Sequence, residues 1–433
     1  MNAAADRHLV PVKPVQYRAF VCPSCGSGDI ACNGVLFPGA HVLGDHRCNT
    51  CGLDFLRDLP VGFSVDHPIA IGKADGRLFN PFGAESWLYG PLLNAFKNRS
   101  DAPVKIERKV LLPTKRIIIL DTIDFLYGHV LLKLYNAQHY IDNYPDHGVV
   151  VLLPRMFAWL EPKGCAEVWI VDVKLGQGQA WHIAINTFVQ QRLVEYDEVN
   201  MARGYAHPDF THIDVERYTG IAPFRLQEFS ARPPHITFVA RQDRLWFANG
   251  FAKFCSRAMG RLGMKGLSKS LFVSAQDRMI RRSMRAIKAA VPQCTFSVVG
   301  LATNGGYGSL ADDLRTTRMD EAMERTWCQA YAKSQLVVGV HGSNMLLPTA
   351  FAAGCIEILP HDRHGNIVQD ISVRWADRMQ LFLYRFVGEF ARPGEVARHA
   401  IGMLRNFDLY YRNKVTNTFE SDPNGLGPLK RHE

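Results

Sequence analysis

"LVVGVHGSNMLLPTAFAAGCIEILP", residues 336–360, is the longest nearly uncharged run of the chain, with a His in its first third and a Glu near its end. Its 25 residues are enough to cross a bilayer, but its internal order argues for something else. "LVVGV" reads as a strand, "HGSN" as a turn with helix-capping residues, "MLLPTAFAA" as a helix in spite of Pro348, and "GCIEIL" as a stop glycine followed by a second strand. A βαβ unit is this apolar when both faces of its parallel strands are covered by helices. The run is therefore expected to be buried βαβ structure.

The same alternation extends outward. Strands are expected at "KRIIIL" (115–120), "GVVVLLP" (148–154), "EVWIVDV" (167–173), "HITFVAR" (235–241) and "TFSVVGL" (295–301). Between them lie the helical patterns "HVLLKLYNAQHYI" (129–141), "AQDRMIRRSMRAIKAAV" (275–291) and "DEAMERTWCQAYAKS" (320–334). A turn-rich stretch with a Pro pair, residues 217–236, interrupts the series. The expected organisation is a small module at 18–60, α/β domains at 61–232 and 233–415, and a tail at 416–433.

With 433 residues, 47% hydrophobic and 21% charged, the chain reads as a globular protein of two or three domains. Its first residues lack the apolar core of a signal peptide, so a cytoplasmic location is expected. The net charge of +9 favours anionic partners, though over this length it is a modest excess and argues little for nucleic acid.

Four of the ten cysteines form the pairs "CPSCG" (Cys22, Cys25) and "CNTCG" (Cys48, Cys51), separated by 22 residues. Two such knuckles supply four thiolates for tetrahedral zinc, and the Gly after each lets the backbone turn beneath the ion. Four protein ligands leave no open position, so the expected zinc ribbon is structural. With no lysine in it and few arginines, Arg47 and Arg57 beside the second knuckle and Arg18 at its start, nucleic-acid contact is not its expected role.

In a βαβ unit the turn after the first strand lies at the carboxyl end of the sheet, where ligands bind. His341, Gly342 and Ser343 would occupy it: Gly342 admits close backbone approach, Ser343 or Asn344 caps the helix, and the helix N-terminus attracts phosphate. Glu357 would sit near the end of the next strand, a place from which a carboxylate holds ribose hydroxyls. On spacing alone, His341 and Glu357 fit equally well as satisfied polar groups at sheet ends.

The run resembles the C-terminal motif of glycosyltransferase family 61, a strand ending in His-Gly, an apolar helix, a Gly and a strand carrying Glu. "TFVARQDRLW" is similar to that family's strand ending in Arg (here Arg241, with Arg244 beyond it). "DFLYGHVLLKLYNA" resembles its helix opening with His (here His129). The resemblance rests on three short motifs within residues 115–390, and Asn344 stands where family members typically have a second Gly. It implies two Rossmann-like domains facing each other (GT-B type) and inverting transfer of sugar from a nucleotide-sugar, a UDP-sugar first, to a polysaccharide or glycoconjugate acceptor. Lipid-linked acceptors would bring the protein to the inner face of the membrane.

Such a transferase needs a base for the acceptor proton and cationic groups for the departing diphosphate. Arg241, Arg244 and the 341–344 turn suit the second task. His129, Asp124 and Asp121 are candidates for the first, and His341 is an alternative acting on the donor. The competing expectation is a non-catalytic zinc-ribbon and α/β protein that recognises nucleic acid or a protein partner. "GLATNGGYGSL" (300–310) lacks the order of a dinucleotide or P-loop motif and is expected to be a mobile loop. Arg278, Arg281, Arg282 and Arg285 are expected on one solvated helix face, with anionic lipid as the sharper alternative.

Overall fold

The computed structural model describes residues 8–79, 85–204, 212–303 and 305–413; the expected tail lies outside them. The chain divides into two compact units, Met1–Pro208 and Asp209–Glu433. Residues 212–232 pack within the second unit. Phe224 N–H donates to Phe351 O at 2.8 Å, and the Gln335 amide donates to Phe229 O at 3.1 Å.

The first unit holds two sheets. The larger runs, in spatial order, Leu9–Lys13, Glu198–Ala202, Arg116–Asp121, Gly148–Pro154, Glu167–Val171, Ile106–Val110. Its four central strands are parallel, and antiparallel strands close both edges. The helix Tyr127–Asn143 connects Arg116–Asp121 to Gly148–Pro154, and Ile183–Leu193 precedes Glu198–Ala202. The chain adds strands on one side of Arg116–Asp121 and then returns to pair Glu198–Ala202 on its other side. Asp121 thus ends the strand at which the order reverses, the switch point where open α/β sheets place ligands.

The smaller sheet is an antiparallel meander, Ile30–Leu36, Leu43–Cys48, Asp54–Asp58, Ala70–Gly72 and Leu78–Phe79. It carries the cysteine knuckles and continues past residue 60.

The second unit is one six-stranded parallel sheet in the order Asp312–Asp313, Thr295–Val299, His235–Val239, Leu336–Val340, Gly354–Leu359, Tyr384–Gly388. The opening run is the βαβ unit expected. Leu336–Val340 and Gly354–Leu359 are buried at every residue and joined by the helix Leu346–Phe351. Pro348 fits because it stands in the first turn, where its missing N–H has no intrahelical acceptor. Each fully buried Val, Ile or Leu of these strands contributes about 1.5–3 kcal/mol. The order reverses between His235–Val239 and Leu336–Val340, a second switch point. Among the described residues no helix is long and apolar enough to cross a membrane.

Candidate functional site

The cysteine cluster has the geometry of a closed metal site. All four Sγ atoms lie within 4.8 Å of one another. Cys22 and Cys51 are 3.7 Å apart and Cys25 and Cys48 3.6 Å, close to the roughly 3.8 Å edge of a tetrahedron with metal–sulfur bonds near 2.3 Å. The two knuckles are built alike. Gly26 and Gly52 each stand at φ +73° and donate to the carbonyls of Cys22 and Cys48. Beneath them lies a small core of Ile30, Phe55, Ala70 and Phe79. Two of the module's arginines are engaged: Arg47 pairs with Asp54 at 2.9 Å, and the Arg57 guanidinium lies 5.6 Å over the Phe20 ring.

At the first switch point the structure brings Asp121, Asp124 and His129 together. Asp124 is 1% exposed, and its Oδ1 accepts from the N–H groups of Phe125 (2.8 Å) and Leu126 (3.1 Å). His129 Nδ1 lies 3.4 Å from the same oxygen, on an imidazole 16% exposed. The buried Lys133 Nζ stands 3.0 Å from Asp124 Oδ2 and donates to Ile123 O. Burial pushes the Asp124 carboxyl up, but Lys133 and His129 outweigh it and hold it below its usual value. Asp121 behaves oppositely: burial pushes it to about 7, with Lys133 offsetting only part, although its Oδ1 accepts from Ile123 N–H at 2.9 Å.

Sequence reasoning missed Lys133 and Phe63. Lys133 was findable, since it follows His129 by four residues on one helix face. Phe63 had no signal; it comes from the connection between the meander strands Asp54–Asp58 and Ala70–Gly72, edge-on to His129 at 5.5 Å with Lys133 Nζ 5.3 Å from its ring centre. Two connections of the meander are hydrogen-bonded to the strand-end loops: Gly204 N–H donates to Val61 O, in the connection that carries Phe63, at 2.8 Å, and His182 N–H donates to Pro38 O, in the connection before Leu43–Cys48, at 2.8 Å. The unspecific-looking "GQGQ" also acquires a reason. A Cβ at Gly178 would collide with the backbone of Asp124, so Gly178 lets that loop pass close behind the aspartate.

At the second switch point Arg244 spans the two strands, its Nη1 donating to His341 O at 3.0 Å. Gly342, at φ +147°, makes room for it, because a Cβ there would overlap the guanidinium. The space expected for close ligand approach is thus taken by Arg244. Arg241 forms a two-point pair with Asp243, at 2.8 and 2.7 Å. Burial lowers the Arg244 guanidinium from its ordinary value, and the nearby Arg363 lowers it further. Arg363, on the turn Arg363 shares with His361–Asn366 after the next strand, was not foreseen.

Three expectations about the turn are corrected. Glu357 does not face a ribose: it is 0% exposed, and its Oε2 lies 2.5 Å from Nδ1 of His341, itself 0% exposed. Burial would depress His341, yet Glu357 holds the imidazole above its usual value; burial likewise holds Glu357 high. Neither Ser343 nor Asn344 caps the helix; Asn344 Nδ2 donates back to Val340 O at 3.2 Å. The helix itself has only six residues, too few for a strong terminal dipole.

The glycine-rich loop after Thr295–Val299, expected to be mobile, is fastened by hydrogen bonds at residues 305–307. Gly305 and Gly306 N–H groups donate to Asp313, Tyr307 Oη donates to Asp277 at 2.8 Å, and Arg315, 2% exposed, bridges Asp277 and Asp313. Arg281 leaves the expected solvated row to donate to Gly306 O. A groove of about 480 Å³ lined by His235, Ser297, Asp312 and Lys333 contains none of the expected site residues.

No protein-family model matches the chain, and no curated protein matches it. Solved structures that align with it include two E. coli heptosyltransferases. One is E. coli ADP-heptose LPS heptosyltransferase II (12% identity, 68% of this chain and 99% of that chain, TM-score 0.34). The other is E. coli heptosyltransferase WaaC with ADP (12% identity, 69% and 98%, TM-score 0.33). Likeness at this level carries no weight; the fold assignment stands on strand order and register.

Proposed function

We propose that the chain is a nucleotide-sugar-dependent glycosyltransferase of family 61 character, inverting and independent of a catalytic metal, acting on a polysaccharide or glycoconjugate acceptor. The observation that carries this reading is the cluster of Arg241, Arg244 and Arg363 at the switch point of a parallel sheet, with Arg244 donating to the carbonyl of His341, whose imidazole is buried against Glu357. Ligands of open α/β sheets bind at such points, and guanidinium groups suit the two-point recognition of phosphate. Arg241 would exchange Asp243 for the donor's diphosphate. In the first unit, His129 backed by Asp124 is the base that takes the acceptor hydroxyl proton. The four thiolates would hold a structural zinc that fixes the knuckles and, through the meander, the position of Phe63.

The test is thermal unfolding against UDP, ADP, GDP, CDP and TDP and their sugar conjugates. A ligand at about a hundredfold its dissociation constant adds roughly 2.7 kcal/mol of stability. The variants of choice are Arg241→Ala and Arg244→Lys, since removing His341 or Glu357 would leave its partner buried and unpaired. Each is expected to weaken donor binding by about 10- to 100-fold, the worth of one charge-assisted contact. Unchanged affinity in both variants, or no response of the parent to any nucleotide, would sink the reading.

The zinc assignment has its own check. Cys48→Ser is expected to take metal content from about one ion per chain to none, and to speed amide exchange in residues 20–58 while strands of the two α/β sheets stay protected. Retained stoichiometry in that variant would remove Cys48 from the ligand set.

A further inference from the structure

The helix Gly250–Arg261 and the first turns of Lys265–Ala290 form a hairpin turned inside out. A surface helix normally directs its apolar stripe at the core. Here the stripe is Phe251, Phe254, Ala258 and Leu262, and it points to solvent. Phe251 is 75% exposed, Phe254 66% and Leu262 75%. No residue of this helix is buried. Met264, Leu267 and Leu271 continue the exposed apolar surface onto the second helix.

The hairpin is nonetheless a built element, fastened by its polar side. Asn249 caps the first helix by accepting from Ala252 N–H at 2.9 Å, Ser256 and Ser268 hydroxyls lie 3.3 Å apart between the helices, and Lys253 pairs with Glu389. Its charge is one-sided. From Arg244 to Gln276 there is no Asp or Glu, while Arg257, Arg261, Lys265 and Lys269 stand near the apolar stripe. Arg257, Arg261, Lys265 and Lys269 are exposed.

We propose that this hairpin docks the protein on an anionic lipid bilayer, its Phe and Leu side chains entering the headgroup boundary and its cations meeting lipid phosphates. That surface satisfies both halves of the pattern at once, because an interfacial helix combines apolar burial with attraction to anionic headgroups. A second copy satisfies only one half, since a two-fold contact through this face would set cations against cations. The inference does not depend on the glycosyltransferase reading; it concerns where the second unit sits, whatever it catalyses.

The experiment is sedimentation of the full chain with vesicles of phosphatidylcholine alone or mixed with phosphatidylglycerol. The parent should bind the mixed vesicles about tenfold or more tightly than phosphatidylcholine and release in high salt. Phe251→Ser with Phe254→Ser, and separately Arg257→Gln with Arg261→Gln and Lys265→Gln, should each weaken binding about tenfold. All these positions are exposed, and unfolding curves matching the parent confirm that the fold is intact. Failure of the parent to bind mixed vesicles, or parental binding by both variants, overturns the proposal. So does a dimer that the Phe variant dissolves without any vesicle binding by the parent, which assigns the face to a second copy.

Discussion

His129→Ala is expected to lower the turnover of sugar transfer by about 10²- to 10⁴-fold while leaving donor affinity within about twofold. The imidazole is oriented from behind: Asp124 Oδ1 lies 3.4 Å from Nδ1, and two backbone N–H groups fix that oxygen. Lys133 keeps the carboxylate ionised despite burial, so it favours a proton on Nδ1 and makes Nε2 the basic nitrogen. On the proposed reading, loss of the imidazole removes the proton acceptor without touching the arginine cluster, which belongs to the other unit. Rate constants at saturating acceptor, with donor dissociation constants measured alongside, separate the two effects. Asp124→Asn should reproduce much of the loss by releasing the tautomer. A His129→Ala variant with parental turnover would remove this residue from the chemistry and return the choice of base to Asp121 or His341.

Much of this arrangement was legible because parallel strands announce themselves. "RIIIL", "GVVVLLP" and "LVVGV" are buried on both faces and carry no alternation to confuse with amphipathic helix. The edge strands were not legible. "LVPVK" contains Pro11, which an edge strand tolerates, and "IERKV" is polar and half-buried along most of its length because it closes the other edge. Chemistry at strand ends could be read from position alone: Asp121 ends, and Arg244 and His341 follow, strands at reversals of order. What each residue bonds to could not. Arg363, Asp243 and the pairing of Glu357 with His341 depend on which loops fold over the sheet, and loop paths follow from tertiary contacts that leave no periodic trace. The outward apolar stripe of Gly250–Arg261 was hidden for a related reason, since its spacing is that of any core helix.

Asp121→Asn is expected to stabilise the protein at pH 8 by up to about 4 kcal/mol and to change little at pH 4. Burial raises the Asp121 carboxyl from 3.8 to about 7, outweighing Lys133. Between those values the folded chain keeps a proton that the unfolded chain releases. Stability therefore falls as pH rises through that window, at a limiting slope of about 1.4 kcal/mol per pH unit. Below pH 4 both states hold the proton and the cost vanishes. Asparagine copies the protonated acid and keeps an oxygen for Ile123 N–H, so it removes the cost without removing the hydrogen bond. Urea unfolding of parent and variant from pH 4 to 8 measures the gap directly; coincident curves at pH 8 would show that Asp121 ionises unhindered. A carboxylate retained at such a cost, at the end of the strand where the sheet reverses and one loop away from His129, is better explained by function than by packing. The same variant decides this too: turnover that falls as stability rises marks a residue kept for the reaction, whereas turnover unchanged reduces Asp121 to a buried acid that the fold tolerates.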